Sequence, residues 1–300
     1  MLKCCLLNTL YHISSIISIN ISKQRYLPIR YPIKKDNFVG LKMQRYFIEL
    51  SYDGNTYHGW QIQPNAFTVQ ECLDKALSVY FRQPIVTMGC GRTDSGVHAT
   101  QFYAHFDLNT ELPTVEGKPV VKVPDPLNAV TGINSLLPYQ ISVKRVFEVD
   151  REAHARFAAT ERAYHYHIHF HKDPFKLNRS WLYKGKLDME AMNEAAKLLL
   201  AHTDFSCFSK SHTQTFTNNC KVVEAFFQEK DEGLLFTIRA DRFLRNMVRA
   251  IVGTLVLVGK NELNLQQFQE ILESKNRSSA GQSVPACGLY LVSVVYPFMK

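Results

Sequence analysis

The segment Gly89-Cys-Gly-Arg-Thr-Asp-Ser-Gly96 sets one carboxylate among three glycines. Glycine permits tight turns and close backbone approach to a ligand, so such a loop can present a side chain to a bound molecule. The spacing matches neither a P-loop, which ends in Gly-Lys-Ser/Thr, nor the dinucleotide pattern G-x-G-x-x-G. Its candidate is Asp94, two residues from Arg92. An arginine close by favours an ionised carboxylate, which suits a nucleophile or a base and not a proton donor. The plainer reading is an Asp-Ser-Gly turn with an incidental ion pair.

Two further patterns carry chemistry. Arg242, Arg245 and Arg249 follow i, i+3, i+7 spacing, with Phe243, Met247, Ala250, Ile251, Thr254, Leu255 and Val258 opposite. That pattern predicts a helix over 242–258. Its arginines form either a rail for phosphates, a partner for a carboxylate, or a solvated face. In Tyr164-His-Tyr-His-Ile-His-Phe-His171, alternation puts Tyr164, Tyr166, Ile168 and Phe170 on one strand face. His165, His167, His169 and His171 take the other. Same-face strand residues stand roughly 7 Å apart, too far for four imidazoles to share one metal ion, so no metal site is expected. The tyrosine face either fills a core or stacks bases.

These groups need elements to hold them. Tyr46, Ile48 and Leu50 alternate in a strand that stops at Asp53-Gly54, and Val69, Leu73, Ala76, Leu77 and Tyr80 repeat at helical spacing before Pro84. Strands follow at Phe102–Leu108 and Ile141–Val149, separated by a proline-rich loop over 109–127. The second half repeats the plan loosely. A strand at Tyr164–Phe170 precedes a helix carrying Met192, Ala196 and Leu199, then come a strand at Leu234–Ala240, the arginine helix and a last strand at Leu289–Val295. The expected fold is α+β, two tandem α/β units with mainly antiparallel sheets, divided near residue 150.

The chain has 300 residues, 46% hydrophobic and 21% charged, which excludes disorder and fibrous repeats. Seven cysteines include no C-x-x-C pair, against a disulfide framework or zinc ribbon and for a reduced, cytoplasmic protein. The net charge of +8 points to a polyanion, but residues 1–42 hold a surplus of +6, which leaves +2 for the rest. A basic site in the body must therefore come from local clustering. Residues 1–42 contain no Ala and no Glu, and their uncharged stretch from Lys3 to Lys23 is broken by polar residues, so no membrane span is expected. They read as a transit peptide or as sequence ahead of a true start at Met43, and as dispensable in either case.

Together these segments resemble the TruA-type tRNA pseudouridine synthases. The likeness runs in order through Ser51-Tyr-Asp-Gly54, Tyr57-His-Gly-Trp-Gln61, Gly91-Arg-Thr-Asp-Ser-Gly-Val-His-Ala99 and His154-Ala-Arg-Phe157. It continues through Tyr164-x-Tyr166, Phe243-Leu-Arg-Asn-Met-Val-Arg-x-Ile-Val-Gly253 and Gly288-Leu-Tyr-Leu291. The resemblance implies a pseudouridine-synthase fold with an RNA cleft, an N-terminal domain over 43–149 with the catalytic aspartate, and a C-terminal domain over 150–300. It implies a cofactor-free, metal-free homodimer that isomerises uridines 38, 39 and 40 in the anticodon arm of tRNA. By motif, Asp94 takes the place of the catalytic aspartate and Tyr164 that of the active-site tyrosine. Arg92 and Arg249 become the carboxylate's charge partners, and Arg156, Arg242 and Arg245 contact RNA. The sequence departs from the family pattern at Ala240-Asp-Arg-Phe243, where small residues are common, and in the histidine stripe. The competing reading is a non-catalytic tRNA-binding protein.

Overall fold

The computed structural model describes residues 43–110, 114–115, 118–119, 124–210 and 216–299. The expectation for residues 1–42 lies outside the described residues.

Alternation in the first segment produces strand β1 (Met43–Tyr52), which ends where the Asp53 side chain accepts the Asn55 N–H and starts a short turn. Helix α1 (Val69–Phe81) begins at Thr68, whose hydroxyl caps the Glu71 N–H. It buries Val69, Cys72, Leu73, Ala76, Leu77 and Phe81 along one face, then stops as Arg82 turns left-handed ahead of Pro84. Next come β2 (Met88–Gly89) and β3 (His98–Asn109), then two two-residue strands, β4 (Thr114–Val115) and β5 (Lys118–Pro119), inside the proline-rich connection. Helix α2 (Val130–Leu136) and β6 (Ile141–Glu148) complete the first half.

The second half contains β7 (Glu161–His169), β8 (Trp181–Leu182), α3 (Met189–Leu198), β9 (Val222–Lys230), β10 (Gly233–Ala240), α4 (Met247–Gly259), α5 (Leu265–Ser274) and β11 (Leu289–Val295). Strands from both halves make one sheet in the order β6-β1-β3-β11-β7-β10-β9, with β2 beside β3 and β8 beside β7. Its pairs are antiparallel except β11 with β3 and β8 with β7. The fold is thus α+β with a mainly antiparallel sheet. The last strand is inserted at the centre, where Leu291 pairs with both Ala99 and Tyr164.

Two buried clusters build on this sheet. One joins α1, α2 and the β1–β3–β6 strands, and takes Leu291, Val294 and Tyr296 from β11 and the residues just after it. The other joins α3, α4 and α5 to β7, β9 and β10. Tyr164 packs against both. Helix α4 is buried nearly all round, as its apolar composition requires.

Two sequence expectations need correction here. The arginine helix starts at Met247, not at Arg242, because Asn246 adopts φ +65° and breaks the helical path. Arg242 and Arg245 therefore sit on the preceding loop, not on a helix face. The histidine stripe is also shorter than expected, because His171 lies beyond the end of β7. β7 ends at His169, whose Nδ1 meets Ser180 Oγ at 2.9 Å, while His165 and His167 line an open hollow of ≈ 390 Å³ with Arg179, Lys230 and Tyr290.

Candidate active site

The glycine loop lies between β2 and β3 and rests on the segment Tyr52–Trp60. Cys90 N–H donates to Tyr103 O at 2.7 Å, and Trp60 N–H donates to Thr93 O at 3.2 Å. The Tyr52 and Thr93 hydroxyls share a buried hydrogen bond of 2.9 Å. Tyr57 O accepts from both Gly96 N–H (3.3 Å) and Ser95 Oγ (3.2 Å). The indole of Trp60 stacks on Phe102 with centroids 4.1 Å apart. Two glycines make so close an approach possible. A Cβ on Gly54 would overlap Val97 O, and one on Gly59, which has φ +85°, would overlap Thr93 O.

The cradle holds Asp94 at the opening of the site, with its side chain 26% exposed. Two guanidinium groups face it, Arg245 Nε at 3.5 Å and Arg249 Nη1 at 3.8 Å. They are held differently. Arg249 is largely buried and donates Nε–H to Val284 O at 2.7 Å, while Arg245 is 60% exposed. Among the described residues, Asp94 makes no ion pair with Arg92. Arg92 belongs instead to a cationic group with Arg156, Arg162 and Arg242. Partial burial and these three neighbours push the Arg156 guanidinium below its ordinary pKa.

Tyr164 stands on β7 between Ile238 and Leu291, with Phe243 meeting it edge-on at 5.1 Å and 87°. Burial pushes its hydroxyl well up, and Cys90 and Asp94 add to the shift, so the phenol keeps its proton. Two residues on, Tyr166 OH donates to Pro285 O at 2.8 Å. The segment 277–285 is fixed further by Arg277, which donates to Ala280 O, Gly281 O and Ser283 Oγ, and by Asn246 Nδ2 on Ser283 Oγ. That segment supplies Val284 O, the anchor for Arg249.

One residue of the site gives no sign in the sequence. Arg162, two places before Tyr164, reads as an ordinary strand cation. Its Nη2 donates to Cys90 O (2.9 Å) and Arg156 O (2.7 Å), and its Nη1 to Asp241 O (3.1 Å) and Ala159 O (3.4 Å). A single guanidinium thus ties the glycine loop to the loops at 156 and 241. Of the predicted residues, Asp94 and Arg249 are paired, Arg245 joins them in place of Arg92, and Arg92, Arg156 and Arg242 gather beside them.

This arrangement can present a carboxylate, faced by two guanidinium groups, next to a protonated phenol and a basic rim. The chain is similar to proteins of known kind. A family model described as tRNA pseudouridine synthase matches residues 195–297. The tRNA pseudouridine synthase A of Bacteroides thetaiotaomicron is 51% identical over 260 residues, 85% of this chain and 91% of that protein. Those of Bacteroides fragilis and Parabacteroides distasonis are 49% and 48% identical, spanning 86% and 85% of this chain and 98% and 97% of theirs.

Proposed function

The chain belongs to the tRNA pseudouridine synthase A family, and from that premise we propose that it isomerises uridines 38, 39 and 40 in the anticodon arm of tRNA to pseudouridine. The observation that carries this reading is the accessible Asp94 carboxylate, set between Arg245 and Arg249 on a loop whose backbone is fixed on both sides.

The reaction balances within the nucleoside. The C1′–N1 bond breaks, a C1′–C5 bond forms, the C5 proton is lost and N1 gains one, with no net redox change. Asp94 acts either as nucleophile on C1′ or as the base that removes a sugar proton. The target base must leave the stack, at a cost of a few kcal/mol. Tyr164 offers a ring to replace that stack and a hydroxyl to hand protons to or from C5. Arg249 and Arg245 counter the carboxylate's charge, while Arg92, Arg156 and Arg242 bind phosphates. The halves 43–149 and 150–300 act as the two domains around the RNA, in a cytoplasmic homodimer.

Incubating the purified protein with an unmodified tRNA transcript and mapping pseudouridine tests the proposal. Asp94→Asn should abolish product while tRNA affinity stays within a few-fold. A wild-type protein that binds tRNA but forms no pseudouridine would establish the non-catalytic reading instead.

A further inference from the structure

Phe157 is 76% exposed, yet it is not loosely held. The Nδ1 of His154 accepts both the Arg156 N–H (3.1 Å) and the Phe157 N–H (3.3 Å), which fixes the turn. The His154 ring then backs the Phe157 ring at 4.4 Å with 34° between planes. Arg156 places its guanidinium carbon 5.5 Å from the ring centre. The same Arg162 nitrogen that binds Arg156 O also binds Cys90 O, so this turn is fastened to the start of the glycine loop.

Phe175, also exposed at 84%, lacks this setting, since no cation lies over its ring among the described contacts. Around Phe157 the cations collect. Arg156 has Arg92, Arg162 and Arg242 as charged neighbours, and Arg162 alone spends its donors on backbone carbonyls. A rigid, solvent-facing ring within a field of guanidinium groups suits a planar group attached to phosphates. Aromatic rings stack bases without needing hydrogen bonds to them, and arginine beside the ring adds attraction for the adjoining phosphate.

We propose that Phe157, backed by His154 and paired with Arg156, is a stacking platform for an unpaired nucleobase of the anticodon arm, separate from the uridine that reacts at Asp94. This rests on the tRNA reading above. The platform holds the RNA strand at the lip of the site, so its contribution is to substrate affinity more than to the chemical step.

The test uses the full chain and an unmodified anticodon stem-loop RNA, with affinity by fluorescence anisotropy and turnover by pseudouridine formation. Phe157→Ala should weaken binding roughly tenfold, since stacking on one aromatic is worth about that much or more. It should raise KM, leave kcat within about twofold and leave the melting temperature unchanged. Phe157→Tyr should restore affinity, and Phe175→Ala should behave as wild type. Stem-loops with single abasic substitutions identify the base. At one position the wild type should lose affinity while Phe157→Ala loses nothing further. Should Phe157→Ala prove unstable, the folded Phe157→Leu variant, apolar but unable to stack, takes its place in the same comparison. The proposal is overturned if the wild type binds and modifies the RNA while the non-aromatic variant binds equally well, or if every abasic position costs both proteins the same. Failure of the wild type itself to bind or modify would instead remove the tRNA reading.

Discussion

Arg249 reaches Asp94 with one nitrogen while another is held by Val284 O, 3.8 Å and 2.7 Å respectively. The planar guanidinium can serve both partners at once, so the segment 277–285 sets the position of a charge at the carboxylate. Arg245 faces the same carboxylate at 3.5 Å, but among the described residues its side chain meets no backbone oxygen, and most of it is in solvent.

The two arginines should therefore separate on substitution. Arg249→Ala removes an anchored cation 3.8 Å from the reacting carboxylate, so single-turnover rates should fall roughly tenfold to a hundredfold with affinity little changed. Arg249→Lys should recover little of this, because one ammonium cannot reach both Val284 O and Asp94. Arg245→Ala should cost less in rate and should flatten the salt dependence of tRNA binding, as expected of a residue that turns to phosphate when RNA arrives. Equal losses in rate from the two Ala variants would refute the division.

Much of the scaffold was legible because local chemistry and tertiary need agree. The Thr68 cap, the apolar face of α1 and the turn at Asp53 mark their elements without help from the rest of the chain. The turn that carries Asp94 was legible from its glycines and the strand that carries Tyr164 from strict alternation, while the roles of both residues came from the resemblance alone. The start of α4 was not. Apolar periodicity runs through Phe243, Met247 and Ile251 without a break, and the left-handed state of Asn246 is a backbone choice that periodicity does not carry. The partners of Asp94 were legible only in part, since the resemblance named Arg249 but not Arg245 as a charge partner. Arg92 is its neighbour in sequence, but which guanidinium meets a carboxylate is decided by how α4 and the 277–285 segment pack. The central position of β11 depends likewise on both halves being folded.

Asp74, on α1, gives a prediction about stability. Its Oδ1 accepts Thr87 N–H at 3.0 Å and Thr87 Oγ1–H at 2.6 Å, yet burial pushes its pKa up to about 6. Between about pH 4 and 6 the folded protein keeps a proton that the unfolded chain has released. This residue's contribution therefore declines as pH rises through that window and is constant above it. Asp74→Asn retains an oxygen acceptor for Thr87 and removes the buried charge. It should stabilise the protein at pH 7.5 by about 1–3 kcal/mol, the order of a two-unit shift. The gain over wild type should vanish near pH 4. Chemical denaturation at several pH values measures the difference, and a variant less stable than wild type at pH 7.5 would show that the carboxylate's hydrogen bonds outweigh its desolvation.

Arg162 offers the sharpest test of how the loop is held. Four carbonyl oxygens from residues 90, 156, 159 and 241 converge on its two terminal nitrogens, and no lysine can reproduce that fork. The Tyr52–Trp60 cradle grips the loop at Thr93–Gly96, beyond Asp94 on both sides, whereas Arg162 fixes its beginning at Cys90. Losing the second grip should let Asp94 drift relative to Arg249, and a displacement of about 1 Å at a reacting group can cost on the order of a hundredfold in rate. Arg162→Lys should thus lower kcat by tenfold or more while the protein still binds tRNA within a few-fold. A merely structural loss would lower the melting temperature and the active fraction, but leave the single-turnover rate per active site unchanged. Displacement of Asp94 should instead lower the single-turnover rate per active site, with the melting temperature and the active fraction preserved. A wild-type single-turnover rate in Arg162→Lys would mean that the cradle alone positions the carboxylate.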